Sequence, residues 1–253
     1  MKLCILIGSA EHQFFQKGSV MLQKCYNNFS EESIEIWSYR GGGSDGITII
    51  DNTIMVPEDP REYGLCFIRA LEWVIKERKP DIICKTNTSL VLNIPNLLDF
   101  VNQSFYNMDL FYGYGIYYTQ TTHPFPYIPG FFWLFSKDIA QIFINNFDNT
   151  YNKILPLWTS GDLIIPGAIP DDILITDIIG SFNIWRMDIP EKIMSIYPFF
   201  KDIPPDFKNI EECNFEKYIA IRTRMPGIDY DDRYRLELPL TLLIANHLNK
   251  LKS

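Results

Sequence analysis

No apolar run in this 253-residue chain is long enough to cross a bilayer; the longest, such as 128–135, give way to Lys137 and Asp138. A membrane anchor is therefore not expected. The opening residues 1–8 are apolar for too short a stretch to be a leader, and Glu11 and His12 follow with no small-x-small cleavage site. That segment reads as a first strand, and the expected location is cytoplasmic. Runs of Lys and Arg are also missing and the net charge is −8, which excludes a nucleic-acid backbone as partner. Neither C-x₂-C nor H-x₃-H spacing occurs, so a zinc site is excluded. The five cysteines, Cys4, Cys25, Cys66, Cys84 and Cys213, are odd in number and scattered, as buried free thiols in a reducing compartment would be. Internal repeats and low-complexity linkers are absent as well. The composition that remains, 47% apolar and 21% charged, is enough to bury a sizeable core. One domain over 1–253 is expected.

The order of elements is alternating. Strands are predicted at 3–7, 34–37 and 82–84, with a further strand or hairpin at 48–56. Helices are predicted at 19–28 and 59–78, the latter with Asp59 as cap, Pro60 at the first position, Glu62 as the capping-box acid and Trp73 in the core. Between strand and helix at 39–46 lie Gly41, Gly42 and Gly43. They match neither phosphate-binding glycine pattern and read as a flexible turn. Further on, Asn93 caps a helix, 109–118 is an aromatic strand, 131–135 is a strand and Ser136 caps a helix over 137–145. The aromatics at 111–118 suit either stacking on a sugar or base, or sheet packing. Residues 156–169 read as a loop, 182–187 and 218–222 as strands, 211–217 as acidic and helical, and 238–251 as a terminal helix carrying His247. Such an order gives an α/β fold with a mostly parallel central sheet flanked by helices.

Chemistry is expected where Ile82-Ile83-Cys84 runs into Lys85-Thr86-Asn87-Thr88-Ser89, because ligands of open α/β sheets bind outside the carboxyl ends of strands. The stretch Lys85 to Asn93 resembles the metal motif of the β-1,3-galactosyltransferase and Fringe type of GT-A glycosyltransferase, K-x-D-D-D-x-x-x-N. Lys85 and Asn93 match, while Asn87, Thr88 and Ser89 stand in place of the three acids. Two further blocks follow in the family's order. Tyr127 to Gly130, a strand and Ser136-Lys137-Asp138 resemble the second. Asp171-Asp172-Ile173 resembles the family's E-D-V block.

The resemblance covers about 60–180 and implies an inverting transfer of a sugar from a nucleotide-diphosphate donor, a UDP-sugar, to a glycan or other hydroxyl acceptor. It places Asp172 as general base, Asp171, Gly130 and Tyr127 at the acceptor or sugar, and Lys85, Asn87 and Ser89 at the nucleotide-sugar; Ser9 and Arg40, outside the stretch it covers, are expected at the nucleotide-sugar as well. Hard cations are held by oxygen ligands that usually include a carboxylate, so a weak Mn²⁺ or Mg²⁺ site, or none, is expected here. Lys85, with Arg40, Arg222 or Arg224, would then neutralise the leaving diphosphate. Each assignment has a structural counterpart. Gly130 also suits a turn, Asp171 and Asp172 suit any helix start, and His247 suits a surface or core position. The alternative to an enzyme is a catalytically inactive GT-A fold kept as a glycan-binding or protein-interaction module.

Overall fold

Strand β1 (Leu3–Gly8) is buried on both faces, which is why it reads as a continuous apolar run and not as an alternation. Leu3, Ile5 and Ile7 join one core, while Cys4 and Leu6 point into another. The computed structural model describes residues 1–29, 33–104, 111–113, 128–159, 169–184, 186–195, 214–224 and 229–250.

Beside β1 lie β2 (Ile34–Arg40) and β5 (Ile82–Asn87), both parallel to it. The hairpin of β3 (Thr48–Ile50) and β4 (Thr53–Met55) extends the β2 side. On the β5 side come β8 (Phe132–Ser136), β7 (Phe111–Gly113) and β9 (Arg186–Asp188). The sheet order is β3-β4-β2-β1-β5-β8-β7-β9, and only β3 and β8 run against the others. The mostly parallel sheet expected from the element order is therefore present.

One face carries α1 (Gln13–Asn27), α3 (Ile94–Ser104) and α7 (Leu238–Lys250), whose Leu22, Leu97, Leu240 and Ile244 pack in the core of Leu3, Ile5 and Ile7. The other face carries α2 (Tyr63–Trp73), α4 (Lys137–Thr159) and α5 (Asp171–Ser181). Aromatic rings dominate this second core. The Trp133 ring lies 5.6 Å from Phe67 and 6.3 Å from Phe111, centroid to centroid, and each fully buried ring contributes roughly 1.5–3 kcal/mol.

A second, three-stranded sheet decides how the carboxyl-terminal segment meets the rest. It joins β10 (Ile193–Ser195), β11 (Ala220–Arg222) and β6 (Leu90–Leu92), with β11 antiparallel to β6. Just past β11, the Thr223 N–H donates to the Ser89 carbonyl at 2.9 Å. The loop after β5 is thereby stapled to a segment more than 130 residues later.

Several boundaries differ from the sequence reading. Strand β5 continues through Lys85 and Thr86 to Asn87, because β1 on one side and β8 on the other keep its backbone paired. Helix α2 starts at Tyr63, not Asp59. The Asp59 carboxylate instead accepts the Arg61 N–H at 2.9 Å and the Arg61 guanidinium at 2.7 Å, a local turn that competes with capping. The helix reaches Arg78 only by widening into a π-helical turn over Val74–Arg78. Helix α1 begins at Gln13, six residues before the sequence reading has it, with the His12 Nδ1 accepting the Phe14 N–H at 3.2 Å. Helix α4 runs to Thr159, well beyond the expected 145 and into the expected loop.

The glycine triplet is a packing device more than a flexible turn. A Cβ on Gly41 would stand 2.5 Å from the Glu58 carbonyl oxygen and 2.7 Å from the Pro60 Cα, both backbone atoms. Of the cysteines, Cys4, Cys25, Cys66 and Cys84 are buried free thiols, and burial pushes each upward in pKa; Cys213 lies outside the described residues. Among the described residues, no helix is long and apolar enough to cross a membrane.

Candidate active site

The carboxyl ends of β1 and β5 open into a cavity of about 540 Å³. Ser9, Lys85, Asn87, Ser89, Gly130, Asp171 and Asp172 all line it, so the folding chain collects residues from four separate segments. Arg222, Arg224 and Arg233 line it too. Of the residues expected at the site, Arg40 is not among the lining residues; its Nε donates to the Met55 Sδ at 3.0 Å. Tyr127 lies outside the described residues, as do the rest of 114–127. His247 packs edge-on against Phe215 at 5.9 Å and does not line the cavity.

Lys85 is the most constrained of these groups. Its side chain is 5% exposed, and its Nζ lies 2.6 Å from Asp171 Oδ2 and also donates to the Gly130 carbonyl. The ammonium sits 4.4 Å from the centroid of the Trp133 ring. A charge this deep needs such partners, since an unpaired buried ammonium would be strongly penalised. The sequence reading made Lys85 a cation for phosphate, but its charge is already matched by Asp171. Lys85 thus ties Asp171 to the turn at Gly130 while still lining the cavity.

Gly130 owes its identity to that crowding. A Cβ there would be 2.9 Å from Lys85 Nζ and 3.1 Å from Asp171 Oδ1. Gly130→Ala is expected to push the ion pair apart and to destabilise the chain by about 1–3 kcal/mol, read as a lower Tm, as overpacking does elsewhere. An unchanged Tm would mean that the turn absorbs the methyl group and that the pair is not tightly held.

Helix α5 delivers the two acids. Pro170 occupies the N-cap, Asp171 is the first helical residue, and Asp171 Oδ1 accepts the Asp172 N–H at 3.1 Å. A carboxylate thus serves the helix start, and both residues face the cavity. Burial first, then the neighbouring Asp171 carboxylate, push the Asp172 carboxyl up to about 7, while Lys85 pulls it down. Burial also raises Tyr39, with the Asp171 carboxylate adding to it, so the phenol stays protonated beside the acids.

Other groups lining the cavity are basic. The Arg233 Nη2 donates to Ser89 Oγ at 2.6 Å, and Arg233 pairs with the fully buried Glu237 through Nε at 2.8 Å and Nη2 at 3.1 Å. Its guanidinium carbon lies 4.6 Å from the Phe14 ring centroid. That of Arg222 lies 4.0 Å from the Phe131 ring centroid. Arg233 was not found from the sequence. The only local signal is its i,i+4 spacing to Glu237, and the contact with Ser89 spans 144 residues. Arg233 stands in the π-helical turn Arg233–Glu237, between α6 (Tyr230–Asp232) and α7.

The residues at the end of β5 do not suit a divalent cation. Asn87 Oδ1 accepts the Ser89 N–H at 3.0 Å, Ser89 Oγ accepts from a guanidinium, and Asp171 is held by an ammonium. Such a cation wants several oxygen ligands with a carboxylate among them, and a guanidinium at Ser89 would repel it.

The sheet, with one antiparallel strand inside a parallel set, helices on both faces and a cavity at the carboxyl ends, has a fold like that of solved GT-A glycosyltransferases. No family model matches the sequence, and no curated protein matches it. Among solved structures, the chain is similar to a glycosyltransferase involved in glycosylation of the major capsid of PBCV-1. Identity is 10%, the TM-score is 0.52, and the match covers 95% of this chain and 100% of that one. It is also aligned with the glycosyltransferase GlyE of Streptococcus pneumoniae TIGR4, at 6% identity and TM-score 0.48, over 99% of this chain and 62% of that one. The alignment with mouse xyloside xylosyltransferase 1 has 9% identity and TM-score 0.45, over 90% and 99%. At 10% identity the likeness to the first of these shows the fold alone.

Proposed function

We propose that this chain is an inverting glycosyltransferase that moves a sugar from a nucleotide-diphosphate donor, with a UDP-sugar as the donor to test first, to a hydroxyl acceptor. The observation that carries the reading is a cavity lined both by a proton acceptor, Asp172, and by three arginines. Its lining holds the cations Lys85, Arg222, Arg224 and Arg233 against the anions Asp171 and Asp172, in a chain whose net charge is −8. A local excess of positive charge in an acidic protein favours an anionic ligand.

In this reading the Asp172 carboxylate takes the proton of the acceptor hydroxyl as its oxygen bonds to the anomeric carbon. The bond from that carbon to the diphosphate breaks on the opposite face, and the diphosphate leaves with the electron pair toward the arginines. A base with a pKa of about 7 is poised for this work near neutral pH. Lys85 holds Asp171, and through it the electrostatic setting of Asp172. No step requires a metal ion.

The test is an assay of the purified chain with UDP- and GDP-sugars and an array of glycan acceptors, following nucleotide release and the anomeric configuration of the product. Transfer with inversion supports the reading; transfer with retention rules out Asp172 as a simple base. Binding of oligosaccharide without binding of any nucleotide would select the non-catalytic glycan-binding module instead.

A further inference from the structure

We infer that Arg233 is the principal diphosphate-binding residue of the cavity and that, pinned to Ser89, it makes nucleotide binding independent of divalent metal. The inference rests on the nucleotide-diphosphate reading above and adds to it the group that receives the charge.

Three observations converge on Arg233. First, its guanidinium lines the cavity and touches the loop that ends β5, through Ser89 Oγ at 2.6 Å. Second, the group is immobilised. Glu237 holds it through two nitrogens, Phe14 lies under it, and the side chain is 10% exposed. A guanidinium fixed before the ligand arrives loses little freedom on binding. Third, the other cations are less suited. Lys85 is bound to Asp171, whose carboxylate itself lines the cavity whereas Glu237 does not, and Arg224 is exposed on the chain after β11. Arg222 stacks on Phe131 and is placed to add a second contact.

Glu237 does not cancel this role. It is fully buried and absent from the cavity lining, so it anchors the guanidinium from behind while the ligand space lies in front. The π-helical turn Arg233–Glu237 spaces the two residues for that pairing. The carboxyl-terminal segment is therefore part of the binding site, tied to it by Arg233 and by the Thr223 to Ser89 backbone bond.

The experiment is calorimetric titration of the full chain with UDP, GDP, uridine and inorganic pyrophosphate, each in EDTA and in Mn²⁺. Removing Arg233 alone would strand the Glu237 charge, so the variant is Arg233→Met with Glu237→Leu, checked for folding by its thermal transition. Ser89→Ala, which keeps both charges and removes only the tether, is the second variant. The expected result is UDP binding that is equal in EDTA and Mn²⁺, weakened about 10- to 100-fold in the double variant and severalfold in Ser89→Ala, as loss of a charge-assisted bond implies. Uridine affinity should not move. Binding of UDP that disappears in EDTA, or that is the same in the double variant and the wild type, overturns the role of Arg233 and leaves the nucleotide reading standing. Pyrophosphate binding that depends on Arg233 without any nucleotide binding supports the arginine and overturns the nucleotide reading. No binding of any probe overturns both.

Discussion

Asp172→Asn is expected to lower transfer by about 10²–10⁴-fold and, in the same protein, to raise stability above neutral pH. The two effects have one cause. Burial and the Asp171 carboxylate push the Asp172 carboxyl from an ordinary 3.8 to about 7. Between those values the folded chain holds a proton that the unfolded chain has released. Stability contributed by Asp172 is therefore full below about 3.8 and is lost as pH rises through about 7. Asparagine has no charge to bury. The variant should gain about 1–3 kcal/mol over the wild type at pH 8, and nothing at pH 4, in paired denaturant titrations. Wild-type transfer should rise with pH through about 7, because the carboxylate is the active form. A stabilised but inactive variant is the signature of a group kept in an unfavourable setting for function. If Asp172→Asn is no more stable at pH 8 than at pH 4 and transfer persists, Asp172 is merely part of the helix start.

What the sequence made legible follows from what is local. The apolar runs of β1 and β5 are local patterns, and each gave its element to within a few residues, while Pro170-Asp171-Asp172 suited the helix start that α5 has there. The place of the cavity was legible for the same reason, since a polar cluster at the end of a buried strand is anomalous wherever it occurs. What could not be read was who answers whom across the cavity. Lys85 looked like a phosphate cation because its partner, Asp171, lies 86 residues away on another helix. Arg233 was passed over because nothing in residues 225–237 marks a π-helical turn, and its value comes from Ser89. Arg40, by contrast, sits at the end of β2 as expected, yet its guanidinium is occupied with Met55. Position along a strand is readable from one sequence; the direction and pairing of a long charged side chain depend on tertiary neighbours.

The pair of Lys85 and Asp171 supplies the other large effect. Lys85→Met is expected to cost about 3–5 kcal/mol, because it leaves the Asp171 carboxylate, 15% exposed, without its cation and next to a second acid. Lys85→Met with Asp171→Leu should recover most of that loss, since replacing both members of a buried pair by apolar groups is often close to neutral. Recovery in the double variant separates an uncompensated charge from a simple packing defect, which would not be repaired. The same pair adjusts the proton affinity of Asp172, which burial raises most, and the two partners act in opposite senses. Asp171 raises Asp172 and Lys85 lowers it, so the midpoint of the pH–rate profile should move up in Lys85→Met and down in Asp171→Asn. Opposite displacements place both residues in the electrostatic setting of the base. Displacement of the midpoint in neither variant would mean that Lys85 and Asp171 only hold the turn at Gly130, and that Asp172 takes its high pKa from burial alone.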